Sequence, residues 1–199
     1  MMNNNRQNPT SVGILSGGTM DRRTARADQS RAALKKAFLE LFQTKEPEEI
    51  TVVELCRKAG LHRSTFYAHY GFMDTLVREV LRESVAEVFV GLETQWNLPL
   101  EYGGVARSVI ASYLSRFLNN PTVRRFCTCA NSGNYRNLII RAHVELTLDP
   151  VNDPIRYYTA YYHNAGIINF ILEWLISGPP IPEETVIEII HEFSKVMYH

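Results

Sequence analysis

From about residue 24 onward, apolar residues return every three or four positions in blocks separated by Gly, Pro and Asn. Leu34, Ala37, Phe38, Leu41 and Phe42 fall at i, i+3, i+4, i+7 and i+8, one face of a helix, and predict a helix over 24–44. Two short helices follow, one from 51 to 59 and one starting near Arg63. Leu76, Val80, Val85, Val88, Phe89 and Leu92 predict a helix over 73–94. Residues 97–104, with Pro99, Gly103 and Gly104, read as a break. Val109, Ile110, Tyr113, Leu114 and Phe117 mark a helix over 104–118, ended by Asn119, Asn120 and Pro121. Shorter helices are expected over 121–130 and 134–147, the latter stopping before Asp149 and Pro150. A helix over 153–177, with Asp153 as cap and Pro154 in the first turn, is apolar around most of its circumference. Gly178, Pro179 and Pro180 end it, and a last helix over 182–197 carries Val186, Ile187, Ile189, Ile190, Phe193 and Val196. The expected fold class is all-α, with about nine helices.

Residues 51–70, TVVELCRKAGLHRSTFYAHY, hold the densest local signals. Thr51 is a good N-cap, and Glu54 three residues later completes a capping-box pattern. Leu55, Cys56 and Ala59 give an apolar face, Gly60 suits a left-handed helix end, and Leu61 returns to the core. Two helices joined by a three-to-four-residue turn containing Gly form a DNA-binding helix-turn-helix pattern. The second helix offers Arg63, Ser64, Thr65, Tyr67 and His69 and contains no carboxylate, which suits a surface meeting phosphates.

At Thr51, Leu55, Cys56, Ala59, Gly60, Leu61, Thr65, Phe66, Tyr67, His69 and Tyr70 the chain resembles the helix-turn-helix of the tetracycline-repressor (TetR) family. The arrangement Tyr161-Tyr162, Gly166-Ile167-Ile168, Trp174-Leu175 and Gly178 resembles, more loosely, the C-terminal domain of a Firmicutes-type branch of such regulators. The resemblance implies a three-helix DNA-binding domain over 21–72 and a C-terminal helical bundle over 73–199 for dimerisation and ligand binding. It implies that Thr51, Thr65, Tyr67 and His69 contact phosphates, which position a protein without reading sequence. Arg63 is the first choice for a base contact, since Arg to guanine is the commonest specific pairing, with Ser64 second and Ala68 against a thymine methyl. Phe66 and Tyr70 are expected in the core.

Two positions depart from the family. Met73 stands where a phosphate-binding lysine begins the fourth helix, and His62 replaces the usual Ser or Thr cap. A neutral imidazole can accept from an amide but caps less well. The resemblance also implies a homodimer through the last two helices, here with Ile167, Phe170, Ile171, Trp174, Ile187 and Ile190, because a helix apolar on two sides needs a partner as well as its own core. It implies an effector pocket, with Tyr113, Phe117, Phe126, Tyr135, Tyr158 and Tyr162 as candidate lining residues, although aromatics at helical spacing are more often plain core.

Net charge is zero, so the argument rests on how charge is distributed. Over residues 22–36, Arg22, Arg23, Arg26, Arg31, Lys35 and Lys36 oppose Asp28 alone, and Arg57, Lys58 and Arg63 follow. The first run reads equally as an arm along DNA or as a solvated face. The acids Glu46, Glu48, Glu49 and Glu54 fall between these blocks. Between Glu101 and Glu145 there is no acid, yet Arg107, Arg116, Arg124, Arg125, Arg136 and Arg141 occur. Pairing with acids on other helices is the plainer expectation; one or two lining a site for an anionic effector is the sharper one.

Residues 1–20 lack periodicity and read as a disordered leader or tag remnant, with Met20 a candidate natural start. No apolar run approaches the roughly 20 residues needed to span a bilayer. Cys127 and Cys129 form only C-x-C, so reduced cytoplasmic thiols are expected ahead of a redox or metal sensor, and neither metal nor cofactor is expected. No P-loop, dinucleotide, nucleophile-elbow or metal motif supports an enzyme. The expected function is a cytoplasmic transcriptional regulator, a repressor binding a palindromic double-stranded DNA operator as a homodimer and released by an effector. The alternative is a TetR-like co-regulator acting through a protein partner instead of a small molecule.

Overall fold

A computed structural model of the chain describes residues 17–92, 105–130, 132–147, 154–178 and 181–196. Among the described residues there are nine α-helices and no strand. They are α1 (Gly17–Phe42), α2 (Val52–Ala59), α3 (Arg63–His69), α4 (Met73–Phe89), α5 (Arg107–Asn119), α6 (Pro121–Thr128), α7 (Ser132–Thr147), α8 (Pro154–Ile176) and α9 (Glu183–Val196). A single 3-10 turn, Pro47–Glu49, lies between α1 and α2. The break at 97–104, the stop at Asp149 and Pro150, the Asp153 cap, and Pro179 and Pro180 lie outside the described residues, as do residues 1–16 of the stretch read as a leader.

Two helix bounds differ most from expectation. The first helix begins at Gly17 rather than near 24, so positions 17–20 of that stretch are helical. Arg22, Arg23, Ala25, Arg26 and Ala27 are strong helix formers and extend it without needing an apolar stripe. The fourth helix ends at Phe89 rather than 94, because Gly91 takes φ 76° and closes it.

Helices α1, α2 and α3 pack on one another as a head. In the body, α4 packs on α5, α6 and α7, while α7 also carries α8, and α9 lies against α5. Leu34, Phe38, Phe42, Leu55 and Phe66 in the head belong to the same buried cluster as Leu76, Tyr113, Phe126 and Ile171 in the body. Head and body therefore share one continuous core across the 72–73 join. Phe42 at the end of α1 meets Phe126 of α6, with ring centroids 4.4 Å apart.

Polar stitches close the corners of the body. Ser194 Oγ accepts from Val105 N at 2.9 Å, and His191 Nδ1 lies 2.8 Å from Val105 O. Trp174 Nε1 donates to Ile181 O at 2.9 Å, fixing the turn from α8 to α9. All three cysteines are buried, and none forms a disulfide among the described residues. Burial pushes the Cys127 thiol up to about 12, so it carries little thiolate at neutral pH and is a poor nucleophile.

Candidate nucleic-acid interface

Thr51 has extended backbone, and its Oγ1 accepts from Glu54 N at 3.2 Å, which makes it the N-cap of α2. The expected return bond of a capping box does not describe Glu54. Its carboxylate turns to Lys45 Nζ, at 2.8 and 2.9 Å, because that ammonium offers a charge-assisted partner. Gly60 takes φ 66°, and Leu61 N donates back to Cys56 O at 2.9 Å, ending α2 as its sequence predicts.

His62 caps α3. Its Nδ1 accepts from Ser64 N at a long 3.5 Å and lies 3.0 Å from Ser64 Oγ. The amide bond is at the limit of useful geometry, as expected of imidazole in a cap position. Arg63, Ser64, Tyr67 and Ala68 are exposed, and i, i+1, i+4 and i+5 share one helix face. Thr65 and His69 are half-buried at its edges, and Thr51 is exposed at the start of α2. Phe66 is fully buried and Tyr70 nearly so, both in the core as expected. The outward face of α3 is therefore one guanidinium, one hydroxyl, one phenol and one methyl, with no carboxylate.

The basic run of α1 divides in two. Arg31 Nη2 lies 2.7 Å from Glu79, and Lys35 Nζ lies 2.5 Å from Glu83 and 3.2 Å from Glu79, so these two cations lock α1 to α4. Arg22, Arg23, Arg26 and Lys36 are exposed. Phe72, the N-cap of α4, makes no side-chain cap bond and is 77% exposed, while Met73 beside it is half-buried.

The six aromatics proposed to line one pocket fall into three settings. Tyr113 and Phe117 sit at the centre of the body, where the Tyr113 hydroxyl bonds His143 Nε2 and Phe89 packs edge-on to His143. Phe126 and Tyr135, 5.0 Å apart, sit at the seam with the head, and the Tyr135 hydroxyl donates to Glu48 Oε1 at 2.8 Å. Tyr158 and Tyr162 are 68% and 77% exposed on the outside of α8. On the α8–α9 face, Ile167, Phe170, Trp174 and Ile187 are half-buried, whereas Ile171 and Ile190 are buried inside the single chain. A groove of about 540 Å³ runs between these helices, lined by Tyr162, Ile167, Phe170 and Phe193 among others.

The arginine-rich interval resolves mostly into structural bonds. Arg107 forks onto Glu188 at 2.5 and 2.6 Å, Arg116 donates to the Val88 and Val90 carbonyls, and Arg136 donates to Asn169 Oδ1 at 3.2 Å. Arg124 and Arg141 are exposed. Arg125 has the contact that sequence reasoning missed. From α6 it reaches Glu46 at 2.7 Å and the Phe42 and Lys45 carbonyls at 3.3 Å each, and its guanidinium lies 5.3 Å from the Phe42 ring centroid. That bond and the Ala130 amide at 2.9 Å hold the Glu46 carboxyl below its usual range.

This fold, a three-helix head on a helical body, is that of TetR-family transcriptional regulators. A TetR transcriptional regulator from Rhodococcus sp. RHA1 superposes with a TM-score of 0.54 over 87% of this chain and 97% of its own, at 14% identity. The TetR family repressor AlkX from Dietzia sp. strain DQ12-45-1b gives 0.50 over 84% and 94%, at 13% identity. In sequence, the chain is similar to YxbF, an uncharacterised HTH-type transcriptional regulator of Bacillus subtilis, at 35% identity over 106 residues. That match covers 52% of this chain and 27% of YxbF, so the chain spans about a quarter of that relative's length. An uncharacterised HTH-type transcriptional regulator of Haemophilus influenzae is 27% identical over 150 residues, 71% of this chain and 73% of that one. No family model matches the chain.

Proposed function

We propose that this chain is a sequence-specific DNA-binding transcriptional regulator, a repressor that occupies a palindromic operator as a homodimer and leaves it when an effector binds. The observation that carries the reading is the outward face of α3. Arg63, Ser64, Tyr67 and Ala68 project together, without a carboxylate, from a helix anchored by Phe66. Arg63 and Ser64 read base edges in the major groove, and Ala68 meets a thymine methyl. Thr51, Thr65, Tyr67 and His69 hold phosphates, with the Thr51 hydroxyl still able to donate while it caps α2. The α8–α9 face, with its groove and exposed Tyr162 and Phe193, supports pairing with a second copy. A two-fold dimer then sets half-sites about one helical turn, ~34–36 Å, apart.

The test is selection of bound duplexes from a random DNA pool by the purified chain at stated salt. An enriched two-fold-symmetric site is the expected result. A folded, dimeric protein that enriches nothing would sink the reading and favour action through a protein partner.

A further inference from the structure

A cleft of about 580 Å³ opens at the seam between head and body, within the size range of small-molecule sites. Three parts of the chain build it: the loop before α2, the first two turns of α4 and the first turns of α7. Pro47, Ile50, Val77 and Leu138 are apolar lining residues, set in a lining whose exposed surface is more polar than apolar. Pro47, Ile50 and Val77 are buried, and Leu138 is half-buried.

Its rim carries the carboxylates of Glu48 and Asp74. Glu48 Oε1 accepts from the Tyr135 hydroxyl, and the residue remains exposed. Asp74 meets Arg78 at 2.6 Å, but both side chains are more than half exposed, so water screens that pair. Two carboxylates against one guanidinium leave the rim net negative. The Tyr135 phenol registers this field: burial, the Glu48 bond and the charges of Glu48 and Asp74 all push its pKa up.

We propose that this cleft binds a small organic cation with an apolar body, an arylalkyl amine in chemical class. The ammonium pairs with Glu48 and Asp74, and the apolar part lies over Ile50, Val77 and Leu138. An organic anion meets the wrong sign of field, and a neutral apolar molecule leaves the net negative charge of the rim uncompensated. The site is separate from the aromatic centre of the body and from the α8–α9 groove. Its regulatory consequence rests on the DNA-binding reading: an ammonium on Glu48 competes with the Tyr135 hydroxyl, a bond that ties head to body.

The full chain, labelled at Ile and Met methyl groups, is titrated with 3-phenylpropylamine and separately with 3-phenylpropionate. Ile50 and Met73 line the cleft and report on it directly. The amine should shift both methyls saturably, with the carboxylate at least about fivefold weaker. Glu48→Gln keeps an acceptor for Tyr135 and should weaken the amine about fivefold with circular dichroism unchanged. Asn137→Trp, at an exposed lining position, should block binding by filling the cleft. Silent methyls at 50 and 73, equal affinity for both probes, or undiminished binding in Glu48→Gln overturns the proposal. So do shifts confined to Ile167 and Ile189 of the other groove. DNA is absent throughout, so failure here leaves the operator reading intact, and failure of the duplex selection leaves the cleft intact.

Discussion

Arg63 is exposed on α3, and no carboxylate pairs with it among the described residues, which leaves its fork free for a base edge. Replacing it by Ala should cost ~1–3 kcal/mol of binding and relax specificity at one base position, measured by competition among operator variants. A uniform loss across all sequences would make Arg63 a phosphate contact instead. His143 is the opposite kind of residue, buried and structural. Its Nδ1 lies 2.8 Å from Ile139 O, so this nitrogen carries the proton and Nε2 accepts from the Tyr113 hydroxyl. Burial lowers its pKa from 6.5 to about 4, against the smaller raising effect of the Ile139 bond. Between those values the unfolded chain binds the proton and the folded chain does not. Stability due to neutral His143 is therefore fully present above pH 6.5 and is lost as pH falls toward 4, by about 3 kcal/mol in all. Urea unfolding at pH 7, 6 and 5 should show a steeper decline than in His143→Gln, whose overall stability is lower but whose pH slope lacks this term. Parallel slopes for the two proteins would contradict the assignment.

At the scale of elements, α2 and α3 were the most legible part of the chain because their signals are local. Thr51, Gly60 and Leu61 each act within a few residues of themselves, and each does what its chemistry predicts. The core stripe of α1 was equally readable from spacing alone, with Leu34, Phe38 and Phe42 fully buried. The return bond from Glu54 was not, because Lys45 competes for the carboxylate from outside the motif. The six aromatics fall apart for a related reason: helical spacing does not say which neighbour covers a side chain, nor that any does, and Tyr158 and Tyr162 stay exposed. The weak point of the head is the start of α3, where the cap bond from Ser64 N to His62 is 3.5 Å long. His62→Ser should shorten that bond and add about 0.5–1 kcal/mol to the head. Hydrogen exchange at the first amides of α3 is the measurement, and slower exchange with unchanged body amides is expected. Faster exchange would mean the ring holds the turn by packing rather than by capping.

Across the whole molecule, a second connection joins head to body beside the continuous α4. The last carbonyls of a helix have no partner within it, and a cation placed there also meets the negative end of its dipole. Arg125 supplies that group to α1 from the body, holding the Phe42 and Lys45 carbonyls while gripping Glu46 and covering the Phe42 ring. Arg125 and Glu46 stand 79 positions apart, so no periodicity could reveal the pair. Glu46 appeared in sequence as one of several loop acids, and Arg125 as one of six arginines in an interval without acids. The geometry separates Arg125 from the others by what its planar fork reaches, two carbonyls and a carboxylate at once. Arg125→Ala should therefore speed amide exchange through α1–α3 while leaving α8 and α9 as they were. Arg125→Lys should behave almost like Ala, because an ammonium keeps the charge and loses the fork and the stacking. Rescue by Lys would reduce the contact to simple charge attraction. Acid should mimic the loss: the Glu46 carboxyl is held below its usual range by Arg125 and by the Ala130 amide, so its contribution is present above the ordinary carboxylate pKa and disappears as pH falls through the lowered value. Exchange in the head should then rise at low pH in the native chain and rise less, from a faster starting rate, in Arg125→Ala, where only the Ala130 amide still holds the Glu46 carboxyl down, once the intrinsic pH dependence of exchange is divided out.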